Sequence, residues 1–380
     1  MEFDRENSIS KIYKMQSSFK WPISLFNEQK YYVKGLFVYS KEYLEDRINN
    51  LDCLNKDIIE PKNVSFRYEN GCYEAIKEVN GNKIHEGRLH EVIKMSILKG
   101  ETRLDLDKDF CYINPKYTLS SEKTPQTQNL LNKHVSTRIT YILRNGYEIL
   151  DHNTINKWLS VDEDLEAVID ETAVRGYVKN LSKKYDTAGA ERTFKTSVNK
   201  VVEVKGGYYG WKTDVDAETK ELIKNIKCGE VLEKEPIYTQ KALSRGEDDI
   251  GDTYVEISIT RQYLWFYKTG KLIAQGHIVS GNPNRGNATS LGVYMLNYKE
   301  TDTTIRGPGY EAEVTYWMPF NGNIGIHDAN WRYSFGGNIY KRNGTHGCVN
   351  IPLYLAKKIF ENIEEGTPVI CYEEQQFENA

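Results

Sequence analysis

The 380-residue sequence contains no apolar run near the ~18 residues that a membrane-crossing helix requires. Its first residues, Met1-Glu2-Phe3-Asp4-Arg5, do not read as a signal peptide. Together these absences leave either a cytoplasmic protein or the soluble portion of an anchored parent. One-signed charge is lacking too: 50 Lys and Arg face 54 Asp and Glu, for a formal net charge of -4. No polybasic field is available, and no nucleic-acid partner is expected. Cysteine is sparse, at positions 53, 72, 111, 228, 348 and 371, with neither Cys-x-x-Cys nor zinc-ligand spacing. The three in the first third could include a disulfide, but no spacing demands one; free thiols in a reducing or anaerobic setting are expected. Tyrosine, by contrast, is abundant, 27 against 12 Phe, in a chain of mean hydropathy -0.62. That suits polar, aromatic-lined surfaces for sugars or peptides, and equally β-rich domains with tyrosine on half-exposed faces. The length allows two or three domains with cores of their own.

The densest chemistry lies at Thr345-His346-Gly347-Cys348-Val349-Asn350, preceded by Ile326-His327-Asp328. Cysteine chemistry needs a thiolate, a base to generate it, and backbone donors for the oxyanion that follows. This region offers all three. Gly347 has no Cβ, so the backbone can approach a substrate carbonyl. Most buried cysteines are inert packing residues. His327 and the loop Ser334-Phe335-Gly336-Gly337-Asn338 with Asn343-Gly344 shift the reading to a catalytic one. His327, His346 and Cys348 lack a fourth ligand or a water site, so no metal and no other cofactor is expected.

The last third reads as strands: Tyr254–Thr260 alternates, Tyr263–Tyr267 follows, Lys268-Thr269-Gly270-Lys271 turns, and Leu272–Val279 returns. Short strands are expected at Gly292–Tyr298, Val314–Met318, Asn323–His327 and Pro368–Tyr372. Between the last two, Asn350 is expected to cap a helix with Pro352 in its first turn and Gly366 at its end. Upstream, two segments resemble each other, with helical runs Ile84–Leu98 and Ala217–Cys228 each stopping at a glycine, Gly100 and Gly229. The expected organisation is an N-terminal segment (1–32), α+β repeats (33–120 and 125–245), a mostly antiparallel β domain with one late helix (252–372) and a polar tail (373–380). Residues 120–127 and 244–249 are the expected linkers.

On these residues the C-terminal domain resembles the catalytic (YkuD-type) domain of L,D-transpeptidases, a β-sandwich. The family's motif is an Ile-His segment followed by Ser/Thr-His-Gly-Cys, a hydrophobic residue, and Arg or Asn. Ser280-Gly281 with Ser290-Leu291-Gly292-Val293-Tyr294 matches its glycine-marked strand pair, with Ser290-Leu291 where threonine-proline is common. The preceding segment, especially Val204–Lys212, is similar to the peptidoglycan-binding domain found before that catalytic domain in clostridia and related Gram-positive bacteria, which implies that both repeats bind peptidoglycan.

The resemblance implies Cys348 as nucleophile, His327 as its base, and Asp328 orienting the imidazole through its backbone carbonyl, the carboxylate in solvent being the alternative. It implies that His346, Gly347 and the Cys348 N–H shape the oxyanion site. Trp331, Tyr316 and Trp317 would wall the acyl-donor groove, with core packing open for Trp317. Thr345 and Asn350 would contact substrate, Asn350 without the charge of the arginine common there. Implied partners are peptidoglycan stem peptides and glycan, with carbapenems and other β-lactams as covalent inhibitors. The implied product is a 3-3 cross-link made through a thioester with release of D-Ala, at the cell wall of a Gram-positive bacterium, from a parent anchored in the membrane. Water as acceptor would make the protein an L,D-carboxypeptidase or another cell-wall cysteine hydrolase; loss of activity would leave a binding module. The β domain, 252–372, is expected to fold without the repeats.

Overall fold

The computed structural model describes residues 2–16, 30–31, 37–307 and 310–374. Parts of the expected N-terminal segment (1, 17–29 and 32) and of the tail (375–380) lie outside the described residues. The chain divides into two compact units, Met1–Asn132 with Val161–Val168, and Lys133–Ser160 with Ile169–Ala380.

In the first unit, helices α1 (Lys41–Asn49) and α2 (Glu86–Lys99) accompany the hairpin β1 (Ser65–Glu69) and β2 (Cys72–Ile76). Ile48, Ile84, Leu89, Val92 and Cys111 form its small core. Helix α2 ends at Gly100 in the left-handed conformation, φ 76°. The expected linker at 120–127 is helical from Lys123 (α3, Lys123–Val135). Pro125 falls in its first turn, where a missing N–H costs nothing.

The second unit has two parts. Its first part carries a three-stranded sheet of β3 (Arg138–Leu143), β4 (Gly146–Leu150) and β7 (Val231–Lys234), β7 running parallel to β3. Helices α4 (Glu171–Tyr185) and α5 (Val215–Cys228) bury Val174, Val178, Leu181, Leu222 and Ile226 against it. Gly229 ends α5 in the left-handed conformation, φ 70°. The hairpin β5 (Arg192–Lys195) and β6 (Val201–Val204) stands between these elements in sequence.

Its second part is a pair of sheets. The first has the order β10 (Lys271–His277), β9 (Tyr263–Lys268), β8 (Tyr254–Ser258), β16 (Pro368–Tyr372), β11 (Gly292–Met295). The second has β12 (Glu300–Gly307), β13 (Tyr310–Asn321), β14 (Ile324–Asp328) and β15 (Val349–Ile351). All pairs are antiparallel except β8–β16 and β14–β15. Val255, Ile257 and Phe266 from one sheet meet Met318, Ile326, Val349 and Ile351 from the other, and α7 (Leu353–Phe360) adds Leu355, Ala356 and Ile359.

Pro368–Tyr372 is an unbroken buried run, as a strand covered on both faces requires. Val369 and Cys371 enter the core between the sheets, while Ile370 and Tyr372 enter a second cluster with Phe194, Val204, Tyr209 and Trp211. That second cluster fuses the upstream elements of this unit to the β domain. The expected linker at 244–249 is tied down in the same way: buried Asp249 accepts hydrogen bonds from Arg192 Nε at 2.7 Å and Nη2 at 3.1 Å, and from Thr187 Oγ1.

Two expectations about the end of the domain change. Asn350 does not cap a helix; it lies in β15, exchanging backbone hydrogen bonds with Val279 at 2.9 Å in both directions. Helix α7 begins after Pro352, with no side-chain cap, and ends at Phe360, well short of Gly366. Strand β12 was not expected at all, because Ile305 is its only buried residue and no apolar alternation marks it.

Candidate active site

Parallel pairing of β14 and β15 sets Ile326 opposite Val349 and His327 opposite Asn350. Side chains alternate along a strand. Ile326, Val349 and Ile351 therefore enter the core, while His327, Cys348 and Asn350 share the other face and line one cavity of about 620 Å³. Ile305, Glu311, Ala312 and Glu313 of the β12–β13 hairpin, with Trp331, Arg332, Gly344, Thr345 and His346, complete the lining.

The loop before Cys348 is fixed from several sides. Gly281 bridges Thr345, and the Asn282 N–H donates to Thr345 O at 3.0 Å. Thr289 Oγ1 accepts from the Gly281 N–H at 2.9 Å and donates to Gly347 O at 2.7 Å. A Cβ on Gly281 would lie 1.9 Å from Asn287 O, so only glycine fits. Gly347 has φ 122°, closed to L side chains at ordinary cost. Its amide donates to Thr345 Oγ1 at 3.0 Å, and that hydroxyl donates to Cys348 O at 2.6 Å. Thr345 thus staples the turn while it lines the cavity.

His327 is 4 % exposed and Cys348 5 % exposed. Burial pushes the His327 imidazole down to about 4, against the smaller opposing effect of its hydrogen bond to Asp328. Burial likewise pushes the Cys348 thiol up to about 11. Both effects favour an uncharged thiol and an uncharged imidazole in the one cavity. His327 Nδ1 lies 2.8 Å from the Asp328 carbonyl oxygen. An N–H there donates to the carbonyl and leaves Nε2 with a lone pair. The Asp328 carboxylate is not in solvent: it is fully buried, and Oδ1 accepts the backbone N–H of Thr315 at 2.9 Å and of Tyr316 at 2.7 Å.

The aromatic residues separate into different roles. Trp331 is 48 % exposed, lines the cavity and stands 6.1 Å from the His327 ring. Trp317 is buried beneath the site, clustered with Cys348, Ile305 and Val314, its ring 5.8 Å from His327. Tyr316 points to the opposite face of β13, packs 5.1 Å from Phe360 and does not line the cavity. His346 lines the cavity and is exposed. The hairpin residues and Arg332 escape sequence reasoning because no motif marks them; the hairpin reaches the site through the pairing of β13 with β14, and Arg332 through the turn that follows β14.

Two family models match the chain: the L,D-transpeptidase catalytic domain over residues 252–371 and a peptidoglycan-binding domain over residues 117–232. No curated protein matches it. Among solved structures, the Ldtfm–avibactam carbamoyl enzyme is 33% identical over 66% of this chain and 99% of its own, with a TM-score of 0.54. A cysteine-to-serine variant of Enterococcus faecium L,D-transpeptidase is 33% identical over 66% of this chain and 100% of its own, with a TM-score of 0.53. The catalytic domain of an E. faecium L,D-transpeptidase is 39% identical over 33% of this chain and 100% of its own, with a TM-score of 0.31.

Proposed function

Because the chain belongs to the L,D-transpeptidase family, whose members are cysteine-nucleophile acyltransferases, we propose that Cys348 is its nucleophile and His327 its base. The substrate in this reading is a peptidoglycan stem tetrapeptide. Cys348 Sγ attacks the carbonyl that joins the third-position L-centre to D-Ala, while its proton passes to His327 Nε2. The C–N bond then breaks, the imidazolium returns the proton to the departing D-Ala amine, and a thioester remains. The side-chain amine of a neighbouring stem attacks the thioester; a C–N bond forms, the C–S bond breaks, and a proton from the amine returns to sulfur through His327. The product is a 3-3 cross-link.

The observation that carries this reading is the 2.8 Å contact of His327 Nδ1 with the Asp328 carbonyl, in a strand whose neighbour presents Cys348 to the same cavity. It supports Asp328 as the residue that fixes the tautomer through its backbone. We also propose that the Cys348 N–H and the turn at His346 and Gly347 hold the oxyanion, with Trp331 against the donor peptide. The β domain (252–372) would carry the chemistry, and the upstream segment would hold glycan at the cell wall.

Incubation with a tetrapeptide stem and an amine-bearing stem, followed by mass spectrometry, tests the reading. A dimer formed with loss of D-Ala supports it; free tripeptide alone would make the protein an L,D-carboxypeptidase. Carbapenems are expected to acylate Cys348, as avibactam carbamoylates the Ldtfm enzyme. A Cys348 inert to both would return the chain to a binding module.

A further inference from the structure

Arg332 is a charged cavity residue that the acyl transfer leaves without a task. Its backbone N–H donates to Ala329 O at 3.0 Å, and its Nη1 donates to Asn343 O at 2.7 Å, at the end of the short helix α6 (Ile339–Asn343). The side chain is therefore held in place beside the cavity that contains His327 and Cys348. Its Nε is buried and has no hydrogen-bond partner, and among the described residues it makes no ion pair. The acidic residues that line the same cavity form no ion pair with it: Glu311 pairs with Arg306 at 2.9 Å, and Glu313 is exposed. Asn350 Oδ1, in the same cavity, is a second buried polar atom without a partner. Burial holds the Arg332 guanidinium below its ordinary pKa, so its solvation is already reduced. A half-buried guanidinium with an unused donor is costly unless an anion completes it. Its planar fork fits a carboxylate.

We propose that Arg332 binds the terminal carboxylate of the donor peptide and so restricts the enzyme to peptides that end one residue beyond the attacked bond. This inference rests on the reaction proposed above. Consecutive residues stand about 3.8 Å apart, so the carboxylate of the leaving residue lies in the same cavity as the carbonyl that Cys348 attacks. A donor with a further residue brings a neutral amide where the carboxylate would stand and displaces its own charge outward. The second source of a carboxylate in such a substrate is the side chain of the third residue, and the test separates the two.

The test compares release of the last residue from three synthetic tetrapeptides: one with free carboxylates, one amidated at the C-terminus, and one amidated on the third side chain. In the wild type, C-terminal amidation is expected to lower kcat/KM by about 10- to 100-fold, the loss typical of a charge-assisted hydrogen bond left unmade. Side-chain amidation is expected to change it little. Arg332→Gln is expected to bring the acid-to-amide ratio near one, mainly through a higher KM for the acid. Arg332→Lys, which keeps the charge and loses the fork, is expected to restore part of the ratio. A wild-type ratio near one overturns the proposal whatever the variants do, and so does a ratio that survives Arg332→Gln in a variant still turning substrate over. Discrimination only against the side-chain amide overturns the assignment to the terminal carboxylate. If the wild type released D-Ala from none of the three, the proposed reaction itself would fail, a result distinct from all of these.

Discussion

A thiol and an imidazole that are each almost wholly buried both lose solvation on ionising, and the Asp328 carbonyl and charge offset that loss for His327 only in part. In the proposed reaction the resting pair is accordingly uncharged, and the thiolate would form only as substrate is attacked. Alkylation of Cys348 by iodoacetamide is therefore expected to keep rising above pH 9, towards the thiol's value of about 11. An imidazolium–thiolate pair would instead level off above roughly pH 5; such a plateau would refute the neutral pair. On the acid side, His327 binds no proton until about pH 4, whereas its unfolded counterpart titrates near 6.5. Between those values the unfolded chain holds more protons, so stability falls as pH drops through that window, and His327→Gln is expected to flatten the slope of melting temperature against pH. Cys348→Ala is expected to abolish turnover with the fold intact; activity within about tenfold of wild type, ~1.4 kcal/mol of barrier, would reject the nucleophile. His327→Ala is expected to slow acylation by about 10²- to 10⁴-fold. His346→Ala does less, because its exposed side chain follows the turn rather than the strand that faces Cys348.

At the level of elements, the site depends on a loop pinned by partners distant in sequence. Thr289 is the clearest case, since one hydroxyl serves the Gly281 amide and the Gly347 carbonyl. Thr289→Val keeps the shape and leaves both backbone groups unpaired in a buried place, at a cost of about 1–3 kcal/mol each. A lower urea midpoint together with slower Cys348 alkylation is expected; an unchanged alkylation rate would show that the loop holds its form without this bond. The contiguous parts of this site were legible in the sequence. Cys348, His327 and the need for Gly347 stand within two short segments, and strands β8 to β10 announce themselves by alternation and a Thr-Gly turn. What pairing decides was not legible: Asn350, which carries a good capping side chain, is claimed by Val279 and by its register with His327. Polar β12 supplies a cavity wall with Ile305 as its one buried residue. Tyr316 and Trp317 are neighbours in sequence, so only one of them can face the site side of β13.

For the whole molecule, the sequence suggested a β domain that folds alone, and the second cluster of buried residues alters that expectation. The fully buried residues of the core between the sheets run from 255 to 371, with upstream Tyr208 packed against their edge, so residues 252–374 retain a reason to fold. Their other face is different. Val293, Ile370 and Tyr372 pack on Phe194, Val204, Tyr209 and Trp211, and the fully buried Glu256 carboxylate accepts the Ser197 N–H at 3.0 Å and the Tyr372 hydroxyl at 2.7 Å. Removing the upstream elements exposes those apolar side chains, each worth roughly 1.5–3 kcal/mol when fully buried, and leaves Glu256 one partner. Residues 252–374 alone are thus expected to fold with a markedly lower denaturation midpoint than the full chain and to bind a hydrophobic dye. Phe194→Ala in the full chain is expected to cost about 3–5 kcal/mol, although Phe194 is far from the motif in sequence. If residues 252–374 matched the full chain in midpoint, the cluster would be a mere contact between independent domains. If they were molten but regained acylation by a carbapenem when residues 133–251 were added back, the upstream elements would count as part of the catalytic fold. On intact cell wall the isolated domain should also work more slowly, because it has lost the segment that would raise the local concentration of stems.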